Sequence, residues 1–297
     1  MRRLKSLLHC CITVSSLSSF CFLLASAPAA AQSGSPILSR IAERGQINVG
    51  YRESSVPFSY LDEQKHVAGY TIDLCSRIVD AVKKKIGKEI KTNYVPVTTA
   101  NRIIQISSGA VDMECGTTTI TLARLEQVDF SMPFWLTGTQ IAVKKKLKVK
   151  EAEGLKGKTF AVLQGSSNER ALQALSQAKG LDLRFIYAKD YAEAFLALET
   201  DRVDAVAGDG TPIAVFASTK TRRPAEIEVI GRLLTIDPYG VMFQRGDADF
   251  RVLINQVLAR SFASGAAMSL LDKHFGPVNI KAGADLAALY RAQSIPE

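Results

Sequence analysis

Histidine and cysteine are scarce in this sequence, and their scarcity limits the chemistry that the protein can perform. The 297 residues include three histidines and five cysteines, and beyond the first 30 residues only His66 and His274 remain. Neither histidine follows a predicted strand. The sequence also has no Ser-His-Asp set, G-x-S-x-G elbow, metal-ligand spacing or glycine-rich phosphate loop. We therefore expect no catalytic residues, no metal and no cofactor.

Long hydrophobic runs are absent beyond the N-terminus. Arg2, Arg3 and Lys5 precede an apolar stretch over residues 7–27, which serines interrupt and which leads into the small-residue sequence APAAAQ. This pattern predicts a signal peptide over residues 1–31 that is cleaved on export, with an uncleaved membrane anchor as the alternative. We expect a periplasmic mature protein without a membrane-spanning segment.

The cysteines that remain after export form a single pair. Cys10, Cys11 and Cys21 lie within the predicted signal peptide, which leaves Cys75 and Cys115. In an oxidising compartment an even pair indicates a disulfide bond. Two buried free thiols are the alternative.

The charge balance is positive, with a net charge of +8 and lysine runs at 83–85 and 144–146. A nucleic-acid-binding protein would show aromatic residues among the basic ones or a known motif. The sequence has neither, so we expect no nucleic-acid partner. The positive balance favours an anionic ligand.

Predicted strands and helices alternate along the chain. Leu74, Ile78 and Val82 recur at helical spacing, which predicts a helix over residues 71–87. Strands are predicted at 47–54, 90–97 and 111–115. Such an order is typical of a parallel sheet covered by helices. Segments 106–119 and 198–211 repeat one plan of helix end, polar turn, Val-Asp, strand, glycine and threonine. The sequence therefore predicts two α/β lobes.

Two extended segments, 136–146 and 237–247, connect the predicted lobes. Two crossings return the end of the chain to the first lobe, where the C-terminal helices would pack. We predict lobe one over residues 32–138 plus 242–297 and lobe two over residues 139–241.

Arginines and hydroxyl groups follow the predicted strands. In an open α/β sheet the ligand lies beyond the carboxyl ends of the strands, so these turns would face a cleft between the lobes. A guanidinium fork matches a carboxylate, and hydroxyls and helix N-termini complete its hydrogen bonds. Asp209, on the opposite lobe, can accept hydrogen bonds from an ammonium group. The combination predicts a cleft for an acidic amino acid.

Each of these features has a simpler explanation on its own. A single arginine at a strand end often forms a surface salt bridge. The threonine-rich segment 117–121 can cap the next helix, and Asp209 can cap a helix that opens at Thr211. Their predicted position on one rim favours a binding site.

Several segments together resemble the extracellular solute-binding proteins of family 3, which are periplasmic receptors of polar amino acid ABC transporters. They are VGYRESSVPFSY, GYTIDLC, TTANRI, DMECGTTTITLARLEQVDFS, VLQGSS and YGVMFQRGD. The resemblance extends from about Ser39 to Gly276 and is strongest for the glutamate/aspartate-binding branch. It implies the two-lobe periplasmic binding protein fold (type II), with two hinge strands and the ligand in the inter-lobe cleft. It also implies a membrane permease as partner, and we expect a monomer.

The resemblance implies a role for ten residues. The implied ligand contacts are Arg124, Thr119, Ser166 and Ser167 for the α-carboxylate, Asp209 for the ammonium group, and Arg52, Arg102, Thr99 and Thr117 for the side-chain carboxylate. Tyr191 stands where the branch often has histidine. A phenol in this position can donate a hydrogen bond but brings no positive charge at neutral pH.

Two other functions are compatible with the same fold. One is a periplasmic enzyme similar to cyclohexadienyl dehydratase, for which Glu53 and Asp209 are the candidate acids or bases at the cleft. The other is a ligand sensor for a membrane receptor. Glutamate, aspartate and their amides remain alternative ligands.

Overall fold

A computed structural model describes residues 34–280 and 283–296 of the chain. The predicted signal peptide, residues 1–31, lies outside the described residues. Within the described ranges, no helix combines the length and the apolar character needed to cross a membrane.

The secondary structure alternates as the sequence predicts. The strands are β1 (Gln46–Tyr51), β2 (Ser54–Ser55), β3 (Ser59–Leu61), β4 (Val67–Ala68), β5 (Lys91–Pro96), β6 (Met113–Glu114), β7 (Val128–Phe130), β8 (Trp135–Thr137), β9 (Thr139–Lys144), β10 (Thr159–Leu163), β11 (Arg184–Ala188), β12 (Ala205–Asp209), β13 (Ile227–Ile230), β14 (Asp237–Tyr239) and β15 (Met242–Gln244). The α-helices are α1 (Pro36–Arg44), α2 (Tyr70–Ile86), α3 (Arg102–Ser107), α4 (Leu122–Leu125), α5 (Ser167–Lys179), α6 (Tyr191–Glu199), α7 (Gly210–Val215), α8 (Ala248–Ala263), α9 (Ala266–Phe275) and α10 (Ala284–Ala292).

The first lobe is built on a five-stranded sheet in the order β5-β1-β6-β15-β7. Strands β5, β1 and β6 are parallel, whereas β15 is antiparallel to both of its neighbours. Helix α2 packs on this sheet through the predicted face, on which Leu74, Ile78 and Val82 are fully buried. Helices α8 and α9 pack against α2, and their Phe250 and Phe275 belong to the same core. The last part of the chain therefore completes the first lobe.

The second lobe contains the other five-stranded sheet, in the order β11-β10-β12-β9-β13. Strands β11, β10 and β12 are parallel, and β9 is antiparallel to β12 and β13. Phe195 and Phe216 stack in the core on one face, with their ring centroids 5.2 Å apart. The two-lobe α/β fold predicted from the sequence is confirmed.

Two strands connect the lobes. β8 pairs with β14 in a two-stranded antiparallel sheet, in which Thr137 lies opposite Asp237. The chain continues from β8 into β9 of the second sheet and from β14 into β15 of the first. The lobe boundaries after residues 138 and 241 stay a prediction.

A disulfide bond joins Cys75 in α2 to Cys115, the residue after β6, with the Cα atoms 6.3 Å apart. The predicted bridge is confirmed, and the alternative of two free thiols is wrong. The bond attaches helix α2 to the turn that leads into the threonine-rich segment.

Candidate functional site: a closed cavity beside three buried arginines

The turns at the carboxyl ends of the parallel strands meet between the lobes. In the first lobe β1, β5 and β6 end at one edge of their sheet, and in the second lobe β10, β11 and β12 do the same. Because parallel strands place their carboxyl ends together, residues distant in sequence become neighbours there. The two edges face each other across a cleft.

A small cavity lies between these edges. Its lining residues are Thr99, Arg102, Thr117, Thr119, Leu163, Ser166, Ser167, Asn168, Tyr191 and Asp209. Of the ten residues predicted from the sequence, only Arg52 and Arg124 are outside this lining. Both still exert their charge on Arg102, so they lie close to the cavity.

All three predicted arginines are buried: Arg52 and Arg102 are each 2% exposed and Arg124 is 3% exposed. Several of their donor nitrogens are buried without a hydrogen-bond partner in the described residues, namely Nη1 of Arg52, Nε and Nη1 of Arg102, and Nε of Arg124. Buried donors normally have partners, since an unpaired one costs about 1–3 kcal/mol and a charged one more. These donors are therefore free to bind an anion.

The environment of Arg102 and of Arg124 disfavours their charged forms. Burial lowers the pKa of Arg102, and the charge of Arg124 lowers it further, whereas Glu114 acts in the opposite direction. Burial, reinforced by Arg170, lowers the pKa of Arg124 to about 10. Arg124 still carries its charge at neutral pH. A carboxylate in the cavity would relieve this repulsion.

Asp209 is the acid that faces the cavity from the second lobe. It occupies the position before α7, yet its side chain makes no capping hydrogen bond to that helix. Its carboxylate instead accepts hydrogen bonds from Asn168 Nδ2 at 3.2 Å and from the Tyr191 hydroxyl at 3.3 Å. The interpretation of Asp209 as a helix cap is therefore wrong. Burial raises the pKa of Asp209, and hydrogen bonds from neighbouring side chains oppose this shift.

Tyr191 supports Asp209. Its hydroxyl accepts a hydrogen bond from the Asp209 backbone N–H at 3.0 Å and donates its only proton to the Asp209 carboxylate. The ring packs against Gly208, where a Cβ atom would lie 2.5 Å from Tyr191 Cε1. Burial raises the pKa of Tyr191, so the phenol stays neutral.

The threonine-rich segment has two separate roles. Thr121 caps α4, because its hydroxyl accepts a hydrogen bond from the Arg124 backbone N–H at 3.3 Å. Thr117 and Thr119 line the cavity instead. The capping interpretation is thus correct for Thr121 and does not account for the other two.

Two polar contacts join the lobes beside the cavity. The hydroxyls of Thr119 and Ser167 lie 3.1 Å apart, and Arg124 Nη2 donates to the carbonyl oxygen of Gly165 at 3.2 Å. Ser166 is the N-cap of α5 and accepts from the Glu169 backbone N–H. The cleft is therefore closed in this structure, and its walls are polar on both sides.

Comparison with known proteins agrees with this arrangement. The family model of the bacterial extracellular solute-binding proteins, family 3, matches residues 47–277. The chain belongs to this family. The match covers both sheets, both connecting strands and every lining residue of the cavity.

Individual members of the family are similar over most of their length. A protein of Salmonella typhimurium named "Glutamate/aspartate import solute-binding protein" is 36% identical over 278 residues, which is 91% of this chain and 92% of that protein. The protein of the same name from Escherichia coli is 37% identical over 85% of this chain and 83% of its own length. The solved structure of the cysteine-binding protein from Campylobacter jejuni has 26% identity and a TM-score of 0.72, covering 82% of this chain and 96% of that one.

Three residues in or beside the cavity of this solute-binding protein were not predicted from the sequence. Leu163 and Asn168 line the cavity. Glu114 is fully buried beside it, with Oε2 accepting a hydrogen bond from the Thr118 hydroxyl at 2.7 Å and Oε1 without a partner. An acid directly before Cys115, in a strand expected to be buried, is the signal that would have indicated Glu114.

Glu53, the second acid considered for an enzyme, is exposed and does not line the cavity. It therefore offers no acid or base at the site. Asp209 is the one lining residue of this cavity with a carboxylate, and its hydrogen bonds hold it in place.

Proposed function

We propose that this solute-binding protein captures L-glutamate or L-aspartate for an ABC importer. The observation that carries the proposal is the set of three buried arginines beside a closed cavity, each with at least one donor nitrogen that has no partner in the described part of the chain. The names of the relatives, which state glutamate/aspartate import, agree with it.

The charge of the site matches an acidic amino acid. The charges acting on Arg102 come from Arg52 and Arg124, which are positive, and from Glu114 and Asp209, which are negative. Within this set, three positive groups, counting Arg102 itself, face two negative ones, which leaves one positive charge in excess around Arg102. Glutamate and aspartate carry one net negative charge at neutral pH and restore neutrality.

Each charged group of the ligand has a partner. The α-carboxylate would bind Arg124 together with Thr119 and the Ser166-Ser167 turn, where the N-terminus of α5 adds backbone donors. The ammonium group would bind Asp209. The side-chain carboxylate would bind Arg52 and Arg102, assisted by the hydroxyls of Thr99 and Thr117.

In this arrangement Tyr191 does not donate a hydrogen bond to the ligand. Its proton already binds Asp209, so it holds the ammonium acceptor in place rather than contacting the ligand's side chain. Side-chain recognition then depends on the two arginines and does not require a positive charge at position 191.

The two lobes of the ligand site indicate how capture occurs. The first lobe supplies the arginines and the second supplies Asp209, so the ligand binds the closed state more tightly than the open one. We propose that residues 32–138 plus 242–297 and residues 139–241 close as two bodies on the β8 and β14 strands. We further propose that the mature, monomeric protein acts in the periplasm after loss of residues 1–31 and delivers its ligand to a membrane permease.

The test of the ligand assignment is calorimetry with L-glutamate on Arg52→Ala. Truncation leaves a desolvated carboxylate without its partner, which costs about 3–5 kcal/mol or about two to three orders of magnitude in affinity. Arg52→Lys keeps the charge but loses the planar fork, so we expect an intermediate loss.

The matched control is Arg77→Ala, an exposed arginine on α2. It should bind glutamate as the unmodified protein does. If Arg52→Ala had the same dissociation constant as Arg77→Ala, the proposed role of Arg52 would be discarded.

A further inference from the structure

A chain of hydrogen-bonded side chains connects the strand between the lobes to the acid in the cavity. Its members are Asp237, Thr235, Thr139, Asn168 and Asp209. Thr139 and Asp209 lie opposite each other in the β9–β12 pair, and Asp237 opens β14. We call these five side chains the relay.

The contacts of the relay are short and continuous. Asp237 Oδ2 lies 2.9 Å from Thr235 Oγ1, which lies 3.0 Å from Thr139 Oγ1. Thr139 Oγ1 lies 2.7 Å from Asn168 Oδ1, and Asn168 Nδ2 lies 3.2 Å from Asp209 Oδ1. Both ends are buried, since Asp237 is 6% exposed and Asp209 is 5% exposed.

The number of hydroxyl and amide protons in the relay determines which of its two acids is ionised. An ionised Asp209 requires a donor, so the Asn168 amide turns its NH₂ group toward it and its carbonyl oxygen toward Thr139. Thr139 then donates its single proton to Asn168. Its oxygen can only accept in the contact with Thr235.

The single hydroxyl proton of Thr235 bears on the protonation of Asp237. Its hydroxyl is placed to donate to Thr139 Oγ1 or to Asp237 Oδ2, and its oxygen also accepts from the Thr139 backbone N–H at 2.8 Å. A hydroxyl has one proton, so when Thr235 donates to Thr139 it has none left for Asp237. The 2.9 Å contact is then a hydrogen bond only if Asp237 carries a proton.

We propose that Asp237, in its protonated form, is a positioning residue that orients Asp209 toward the ligand's ammonium group through Thr235, Thr139 and Asn168. The inference rests on the proposed function, because it takes Asp209 as the ammonium acceptor. The relay holds one proton, on one or the other of its two acids. An ammonium group bound to Asp209 favours the ionised form of Asp209, so the proton stays on Asp237.

The surroundings of Asp237 favour this state. Burial and the nearby charge of Asp209 raise the pKa of Asp237 to about 6, while the charge of Arg124 acts in the opposite direction. The other ionisable group facing Asp237 is the buried phenol of Tyr239. An ionised Asp237 would also compete with the ligand's α-carboxylate for the charge of Arg124.

The sign of the pH dependence follows from linkage. A ligand with one net negative charge raises the pKa of Asp237 further, so binding takes up protons. Affinity is then strongest below the pKa of the free protein and is lost as the pH rises through the pKa of the complex. Each unit by which binding raises that pKa corresponds to tenfold in affinity.

The experiment is calorimetry with L-glutamate at pH 5.5 and pH 8.0, in two buffers of different ionisation enthalpy. The unmodified protein should bind severalfold to about tenfold more weakly at pH 8.0 and should take up protons on binding near pH 6. Asp237→Asn, whose amide donates to Thr235 at every pH, should bind equally well at both. Thr235→Val, which breaks the relay, should bind more weakly at both and lose the pH dependence.

Asp272→Asn, an exposed acid on α9, is the matched control and should keep the pH dependence of the unmodified protein. Glutamate binding without proton uptake, or Asp237→Asn with an unaltered pH dependence, would overturn the inference and leave the proposed function standing. Absence of binding at any pH would contradict the proposed function itself.

Carboxyl carbon NMR of the ligand-free protein provides a test that does not need a ligand. We expect one resonance that titrates near pH 6 and is missing from Asp237→Asn. If every carboxyl resonance that differs between the two proteins titrated below about pH 4.5, the ordinary range of an aspartate, the inference would be overturned.

Discussion

The close approach of Glu114 and Arg52 depends on Gly116, which has no side chain. A Cβ atom at this position would lie 2.1 Å from Glu114 Oε1 and 2.8 Å from Arg52 Cγ. The absence of a side chain therefore lets a buried acid and a buried arginine lie on either side of one turn. The carboxylate reduces the repulsion among the arginines, and each arginine keeps at least one donor nitrogen without a partner among the described residues.

Gly116→Ala should consequently displace Glu114 or Arg52. Overpacking of this kind costs about 1–3 kcal/mol, and because Arg52 is the proposed partner of the ligand's side-chain carboxylate, we expect glutamate affinity to fall by about tenfold or more. Calorimetry and a denaturant melt measure the two effects. Gly276→Ala is the control, since its φ is −54° and the space around it is open. Equal affinity in the two variants would contradict the role of Gly116.

The residues found only in the structure share one property: their roles depend on neighbours distant in sequence. Glu114 matters because Arg52 lies beside it, and Asp237 matters because Thr139 and Asn168 continue its hydrogen bonds. The arginines could be predicted because an arginine that follows a strand indicates binding of an anion even when its neighbours in space are unknown. A buried acid in an apolar strand suggests no partner until the strand order is known.

At the scale of elements, the periodicity of the sequence predicted the existence of most helices and strands and missed some of their limits. The helix over α2 and the strand over β5 agree with the prediction within a residue or two. The predicted strand at 111–115 is regular only at Met113–Glu114, because its pairing with β1 covers two residues. The extended segment 237–247 divides into β14 and β15, which pair with different sheets. An alternating pattern indicates extended chain but does not indicate its partner.

The disulfide bond fixes helix α2 to the end of strand β6, close to the site. It closes a segment with a sequence separation of 40 residues, for which the loss of chain entropy in the unfolded state corresponds to roughly 2–4 kcal/mol of stability. The double variant Cys75→Ser/Cys115→Ser should therefore unfold at a lower denaturant concentration. Because Cys115 lies between Glu114 and Gly116, we also expect weaker glutamate binding.

Reductant provides the control for this prediction. It should destabilise the unmodified protein to about the level of the double variant and should leave the double variant unchanged. An unfolding midpoint that is the same with and without the bond would contradict a stabilising role.

At the scale of the whole molecule, both lobes contribute side chains to the candidate site. The first lobe presents its positive groups and the second presents Asp209 with its supporting hydrogen bonds. Neither half alone matches a molecule with two carboxylates and one ammonium group. Ligand binding should thus stabilise the closed molecule as a unit and should depend on the charge of the ligand's side chain.

A thermal melt of ligand-stripped protein with the twenty amino acids tests this dependence. A ligand at 100 times its dissociation constant stabilises the native state by about 2.7 kcal/mol, which corresponds to a rise in Tm of roughly 5–10 °C for a protein of this size. We expect that rise for glutamate or aspartate. Glutamine and asparagine should give a smaller rise because a neutral amide leaves the charge of Arg52 and Arg102 uncompensated, and lysine should give none because its ammonium group would meet those arginines. An equal rise for glutamate and glutamine would mean that the buried arginines do not pair with a second carboxylate.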